Sequence, residues 1–188
     1  MNIRNFLALQ DPKEWNDKWE NIFENYQKDK RHAYYVASSV SSDDYTILEI
    51  GAGSFRDVAE LSQLGFDVFA FDFSQKSVQM AKDRFPKISH KFWTGDAFSI
   101  DRPSKSFDVT FSNGFLGLFD NWQIDKLIHE QIRITKNRVI MTVHNGHNIE
   151  FKKYFIEKAK SDSLYAIRFF RLEDIFEIMS RFDLIIKI

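Results

Sequence analysis

Short apolar runs alternate along this chain with segments whose apolar residues recur every third or fourth position. The runs Thr46–Ile50, Phe66–Phe71, His90–Thr94, Phe107–Phe111 and Arg138–Val143 read as strands. Between them, helices are predicted over Asp57–Leu64, stopped by Gly65, and over the segment capped by Ser74, where Val78, Ala81 and Phe85 share a face before Pro86. A further helix, with Ile124, Leu127, Ile128 and Ile132 on one side, fits between Asn121 and Thr135. Strands alternating with helices predict an α/β fold: a Rossmann-like, doubly wound, mostly parallel sheet with helices on both faces.

The flanks have other patterns. Trp15, Trp19, Ile22, Phe23 and Tyr26 form one stripe of an amphipathic helix, and a second helix is expected over His32–Val40. Such an aromatic stripe either packs on the domain or closes over a ligand, and most helical stripes of this kind are core. After strand five, helices are expected around Phe151–Ala159 and around Leu172, Ile175, Phe176 and Met179, with Phe182–Ile188 as a last strand. Repeats, low-complexity segments and Pro/Gly linkers are absent, so one domain is expected.

Composition narrows the function. The net charge of -1 and the interleaved signs of Asp11, Lys13, Glu14, Asp17, Lys18 and Glu20 provide no field for a phosphate backbone, which disfavours nucleic acid. The absence of cysteine removes disulfides, thiolate metal sites and a thiol nucleophile, and fits a reducing, cytoplasmic compartment. No apolar run approaches the roughly 20 residues of a membrane-spanning helix. Most of the twenty Phe and four Trp are expected in the core.

The chemistry concentrates where strands should end. Strand one runs into Glu49-Ile-Gly51-Ala52-Gly53, and Asp72 closes the next apolar run. A glycine turn lets backbone approach a ligand, and a carboxylate there can accept from both ribose hydroxyls. A dinucleotide fingerprint would need a glycine where Arg56 stands, and the phosphate loop G-x-x-x-x-G-K-[ST] is missing.

From Thr46 to Val143 the sequence resembles the class I S-adenosylmethionine-dependent methyltransferases. Leu48-Glu-Ile-Gly-Ala-Gly-Ser54 is similar to the family's first motif, and Val68-Phe-Ala-Phe-Asp-Phe-Ser74 to its second. Thr94-Gly-Asp-Ala-Phe98 is similar to its third, and Phe107-Asp-Val-Thr-Phe-Ser-Asn113 to its fourth. The resemblance implies S-adenosyl-L-methionine as cofactor. Gly51, Ala52 and Gly53 would lie along its methionine part, Asp72 on the ribose, Asp96 at the adenine amine, with Phe73 and Ala97 as apolar walls. Glu49 would orient the turn, and Asn113 would sit at the end of strand four. Phe55 replaces an optional third glycine, implying a bulkier loop.

The resemblance further implies a division into an N-terminal helical cap (1–44), a cofactor-binding core (45–147) and an acceptor-side segment (148–188). Only Phe182–Ile188 is visible of the family's C-terminal hairpin, so the hairpin is expected incomplete, either because the chain is truncated or because its edge is completed differently. That edge would suit pairing between copies as a homo-oligomer. The expected reaction is methyl transfer to oxygen or nitrogen of a small-molecule acceptor, possibly a carbohydrate. His144, just past strand five, is the candidate base, with a pKa expected near working pH. His144, His147 and Glu150 have a spacing that could hold a metal, but two histidines and one carboxylate in a loop are thin grounds, and no metal is expected. Lys152, Lys153, Arg168 and Arg171 would favour an anionic acceptor only if they lined the pocket. The competing readings are a dehydrogenase-like nucleotide binder, an aminopropyl transferase and a non-catalytic methyltransferase-like module acting through its open edge.

Overall fold

The computed structural model describes residues 11–29, 31–162, 165–185 and 187. Five strands, β1 (Thr46–Ile50), β2 (Asp67–Asp72), β3 (Phe92–Thr94), β4 (Phe107–Asn113) and β5 (Thr135–Thr142), form one sheet in the order β3-β2-β1-β4-β5. Every neighbouring pair is parallel. The order reverses on either side of β1, which puts a crevice at its carboxyl end, where ligands of open parallel sheets bind.

The strands are apolar almost throughout, as parallel strands covered on both faces must be. Ile47, Val68, Ala70, Phe92 and Val109 pack with Trp19 and Phe23 of α1 (Pro12–Tyr26) and Ala33 and Val36 of α2 (Arg31–Ser39). Val58 and Leu61 of α3 (Arg56–Gln63) and Val78 and Ala81 of α4 (Gln75–Arg84) complete that layer. The period-two alternation sends Leu48, Ile50 and Phe71 into a separate cluster with Phe107 and Ile134. Ile124, Leu127 and Ile128 of α5 (Asn121–Ile134) meet Phe170 and, from α7 (Leu172–Met179), Ile178 and Met179. In chain order α6 (Ile149–Lys158) precedes α7, and none of its residues is fully buried. No helix among the described residues is long and apolar enough to cross a membrane.

Three expectations change. The predicted strand three is shorter, because Ser89–Lys91, with His90 inside, forms a 3-10 turn before β3. Strand five starts at Thr135, directly after α5, rather than at Arg138. The predicted final strand does not form: Phe182–Ile185 and Lys187 are outside any strand, while Ile186 and Ile188 lie outside the described residues. An apolar run becomes a strand only when it has a ladder to join, and Ile185 is 93% exposed instead. β5 is the strand at that end of the sheet.

Candidate active site

The crevice opens into a cavity of about 1030 Å³ bounded by the ends of β1, β2, β3, β4 and β5 and by α1. Glu49, Gly51, Ala52, Gly53, Asp72, Phe73, Asp96, Ala97, Asn113 and His144, all singled out from the sequence, line it together.

The glycine turn is needed for steric reasons. Gly51 and Gly53 have φ of +65° and +54°, which side chains rarely adopt. A Cβ on Gly51 would stand 2.6 Å from Cδ2 of Phe115, and one on Gly53 would stand 2.4 Å from Cζ2 of Trp19. The turn is fixed from three sides. Ala52 donates to the Phe71 carbonyl at 3.0 Å, Gln27 Nε2 donates to the Ser54 carbonyl at 2.9 Å, and Ser77 Oγ donates to the Gly53 carbonyl. Phe55 does not thicken the ligand loop: it is buried, at φ +55°, and its ring packs on Phe92 at 4.8 Å.

Asp72 sits in the fork between turn and helix. Its Oδ2 accepts from Gly53 N–H and its Oδ1 from Ser74 N–H, both at 2.9 Å. Burial pushes its carboxyl up to about 6, against the pull of these N–H groups. Glu49 is buried beside it; burial and the Asp57 charge hold its carboxyl well above the ordinary range, while Val58 N–H donates to it. Its Oε2 has no hydrogen-bond partner. Asp57 in turn accepts from Ala33 N–H at 3.2 Å and from Asn113 Nδ2 at 3.3 Å, and lies 3.6 Å from Arg56 Nε. Asn113 is held at its other end by Thr142, whose hydroxyl donates to Oδ1 at 2.7 Å. Asp96 is exposed, and its Oδ1 accepts from Phe98 N–H at 2.8 Å.

Not every motif residue belongs to the site. Asp108 lies near the start of β4, at the far end of the sheet, where it binds Thr46 and Tyr45 N–H groups and Lys136. Those bonds hold its carboxyl well below the usual range despite partial burial.

The end of the cavity beyond β5 is aromatic. His144 is ringed by Phe151, Phe155 and Phe169 at centroid distances of 6.0, 5.3 and 5.7 Å. A short ladder brings this about: Phe170 N–H donates to the His144 carbonyl at 2.9 Å and Gly146 N–H to the Phe170 carbonyl at 2.7 Å. The imidazole does not have the ordinary pKa expected from sequence. Burial and the nearby His32 lower it to about 4, and its buried Nδ1 has no hydrogen-bond partner. His147 is exposed and 3.8 Å from Glu173. The basic groups do not line the cavity: Lys153 pairs with Glu150, and Arg168 donates to the Phe119 carbonyl and Asn121.

Among the residues that sequence reasoning left outside the site is a group from the N-terminal helices. Trp15, Trp19, Ile22, Tyr26 and His32 all line the cavity. The stripe was visible in the sequence; its destination was not. It serves both readings, since Trp19 is core and cavity wall at once. Asn16 anchors it by accepting from Ser74 Oγ at 2.7 Å and Lys76 N–H at 3.1 Å.

An all-parallel sheet with a glycine turn after its first strand and a carboxylate after its second is an arrangement by which doubly wound α/β proteins can hold a nucleoside. The comparisons specify which one. The methyltransferase domain family matches residues 47–138. The chain is 32% identical over 114 residues to phosphoethanolamine N-methyltransferase 1 of Zea mays, covering 57% of this chain and 22% of that protein. It is 34% identical over 91 residues to demethylmenaquinone methyltransferase of Renibacterium salmoninarum, covering 48% and 36%. The solved complex of the Haloferax volcanii Trm112 methyltransferase activator with a methyltransferase superimposes at a TM-score of 0.71 and 16% identity, over 89% of this chain and 75% of that one. Residues 47–138 thus resemble a methyltransferase domain, and S-adenosylmethionine is the cofactor that such a domain implies. The chain spans well under half the length of the two curated relatives.

The residues present fit that cofactor. Two glycines that admit only hydrogen, a buried carboxylate at the end of β2 and the unpartnered Glu49 Oε2 converge on one cavity.

Proposed function

We propose that this protein transfers the methyl group of S-adenosylmethionine to nitrogen or oxygen of a small molecule. The observation that carries this reading is the Gly53–Asp72 hydrogen bond, which joins the glycine turn to the acidic end of β2 at the mouth of the cavity. The backbone of Gly51, Ala52 and Gly53 would run along the methionine part. Asp72 would accept from the ribose hydroxyls, with Asp96 toward the adenine amine and Phe73 and Ala97 beside the ring. Asn113, held between Asp57 and Thr142, would bound the sulfonium side.

The bound cofactor supplies an activated methyl group; the protein has to align an acceptor and exclude water. His144 bounds the acceptor end. As a neutral imidazole it can accept a hydrogen bond from the acceptor and orient it, a role that needs no charge. The cavity is large enough for the cofactor and one small molecule together. The absence of cysteine fits a cytoplasmic location.

A non-catalytic, partner-binding role is the second reading, favoured by the position of β5 as the last strand of the sheet. Titration calorimetry with S-adenosylmethionine, S-adenosylhomocysteine and NAD separates the readings. Binding of both sulfur nucleosides is expected. Binding of NAD alone would sink the proposal, and binding without turnover would favour the second reading.

A further inference from the structure

Arg56 stands where a dinucleotide turn would carry glycine, and it lines the cavity. It opens α3, just past the glycine turn, and its side chain is 12% exposed. The end of α1 fixes the guanidinium in two ways. Its Nη1 donates to the Tyr26 carbonyl at 2.6 Å, and the group lies 5.5 Å from the centre of the Tyr26 ring. Asp57 Oδ2 stands 3.6 Å from Nε, but the oxygens of Asp57 are engaged elsewhere, by Ala33 N–H and Asn113 Nδ2. Among the described residues, the Tyr26 carbonyl is the one acceptor of a hydrogen bond from Arg56. The rest of the planar fork, whose shape suits a carboxylate with two parallel bonds, has donors to spare.

The charges around the cavity give that fork its meaning. Glu49, Asp57, Asp72 and Asp96 line the cavity, whereas Arg56 is the one Lys or Arg among its described lining residues. Glu49 is 2% exposed, with Oε2 unpartnered. Burial and the Asp57 charge hold its carboxyl up, while the Arg56 charge is near enough to pull against them. S-adenosylmethionine brings two cations, its sulfonium and its ammonium, and one anion, the carboxylate of the methionine part. The cations suit the carboxyl groups. The anion is repelled by them unless a cation meets it. His32 and His144 also line the cavity, but an imidazole lacks the two parallel donors of a guanidinium.

Resting on the cofactor reading above, we propose that Arg56 binds the carboxylate of the methionine part and makes the site selective for the intact cofactor over its decarboxylated form. Tyr26 holds the guanidinium in place, so the bond costs little ordering of a long side chain. The consequence reaches the reaction class. An aminopropyl transferase takes the decarboxylated form as its donor, and a site that requires the carboxylate does not accept it.

Titration calorimetry tests this with S-adenosylhomocysteine, its decarboxylated analogue, which keeps the ammonium, and methylthioadenosine, which lacks both groups. The wild-type protein is expected to bind S-adenosylhomocysteine at least about tenfold more tightly than the decarboxylated analogue, the worth of a charge-assisted pair. Arg56→Gln should close that gap by weakening S-adenosylhomocysteine alone. Arg56→Lys keeps the charge without the fork and should retain part of the gap. An Arg56 that only clamps α1 to α3 would weaken all of these ligands alike, and that outcome overturns the proposal. Equal wild-type affinity for the two homocysteine-derived ligands overturns it as well. So does a gap that survives in Arg56→Gln, and its closure in His32→Gln would move the carboxylate to the histidine. If Arg56→Gln does not fold, the wild-type gap and its reduction in Arg56→Lys decide the matter. A wild-type protein that binds none of these ligands strikes the cofactor reading instead.

Discussion

Gly53 donates its backbone N–H to Asp72 Oδ2 at 2.9 Å, so the glycine turn and the acidic end of β2 form one hydrogen-bonded unit. Replacing Asp72 therefore has two effects. Asp72→Ala is expected to weaken S-adenosylmethionine binding by more than about tenfold, since charge-assisted bonds to both ribose hydroxyls go. It should also lower stability by about 1–3 kcal/mol, because two buried N–H donors lose their acceptor. Calorimetry and urea unfolding read the two separately. Unchanged affinity contradicts the ribose assignment.

The same carboxylate makes cofactor binding pH-dependent. Burial raises Asp72 to about 6, so it is mostly ionised at pH 7 and mostly protonated at pH 5. The ionised form accepts both hydroxyl protons, so affinity must fall as pH drops through about 6. A loss of about tenfold between pH 7 and pH 5 is expected, one decade being the change in ionised fraction across that window. Asp72→Asn should flatten the profile. A wild-type profile that is already flat would rule out this carboxylate as the group engaged.

The fold and the gathering of the motif residues in one cavity were legible in sequence because both are written locally. Gly51, Asp72, Asp96 and Asn113 each follow a short apolar run, and a parallel sheet brings the carboxyl ends of its strands together without further instruction. The acceptor half is tertiary. Phe151 and Phe169 reach His144 only because of the short ladder between the loop after β5 and Phe170, which no periodicity announces. The pKa of His144 was misjudged for the same reason, since its burial belongs to those rings. The final strand differs: Phe182–Ile188 has strand composition, but its described residues are outside any strand, since composition does not supply a pairing partner.

Asp108 tests whether a motif residue can be purely structural. It clasps Thr46, accepting from its N–H at 2.8 Å and its hydroxyl at 2.7 Å, while Asp108 N–H donates back to that hydroxyl at 2.9 Å. Asp108→Ala should cost about 2–3 kcal/mol at pH 7 and leave cofactor affinity unchanged. Its carboxyl is held below the ordinary value in the folded state, so its contribution is present above about pH 4 and fades as pH falls further. The gap between wild type and variant in urea unfolding should therefore narrow under acid. A loss of cofactor binding without loss of stability would overturn this placement.

Gly53→Ala probes the turn itself. The new Cβ would meet the Trp19 ring at 2.4 Å, and φ of +54° disfavours any side chain. Since Trp19 is a buried residue of α1 with its ring against the turn, relief must displace the helix or the turn. Cofactor affinity is expected to drop at least about tenfold, with a stability loss of about 1–3 kcal/mol from strain. Gly65→Ala is the matched control, because its φ of +97° is similarly unfavourable but no atom lies within 4 Å of the added Cβ. It should lose stability and keep cofactor affinity; equal loss of affinity in both would remove the argument from Trp19.

His144 separates orientation from proton removal. A base with an ordinary imidazole value would give kcat an acid limb near 6.5. Here burial and His32 hold the group at about 4, so it stays neutral above about pH 5 and its protonation can contribute a limb only near 4. With saturating cofactor, kcat should therefore show no inflection from His144 between pH 5.5 and 8. His144→Phe keeps a ring among Phe151, Phe155 and Phe169 but removes the acceptor nitrogen. Turnover should fall by about ten- to a hundredfold, the worth of one orienting hydrogen bond to a buried polar group, while the S-adenosylmethionine dissociation constant is unchanged. Full activity in His144→Phe would reduce the residue to a wall of the box. An acid limb near 6.5 that vanishes in the variant would instead make it a base.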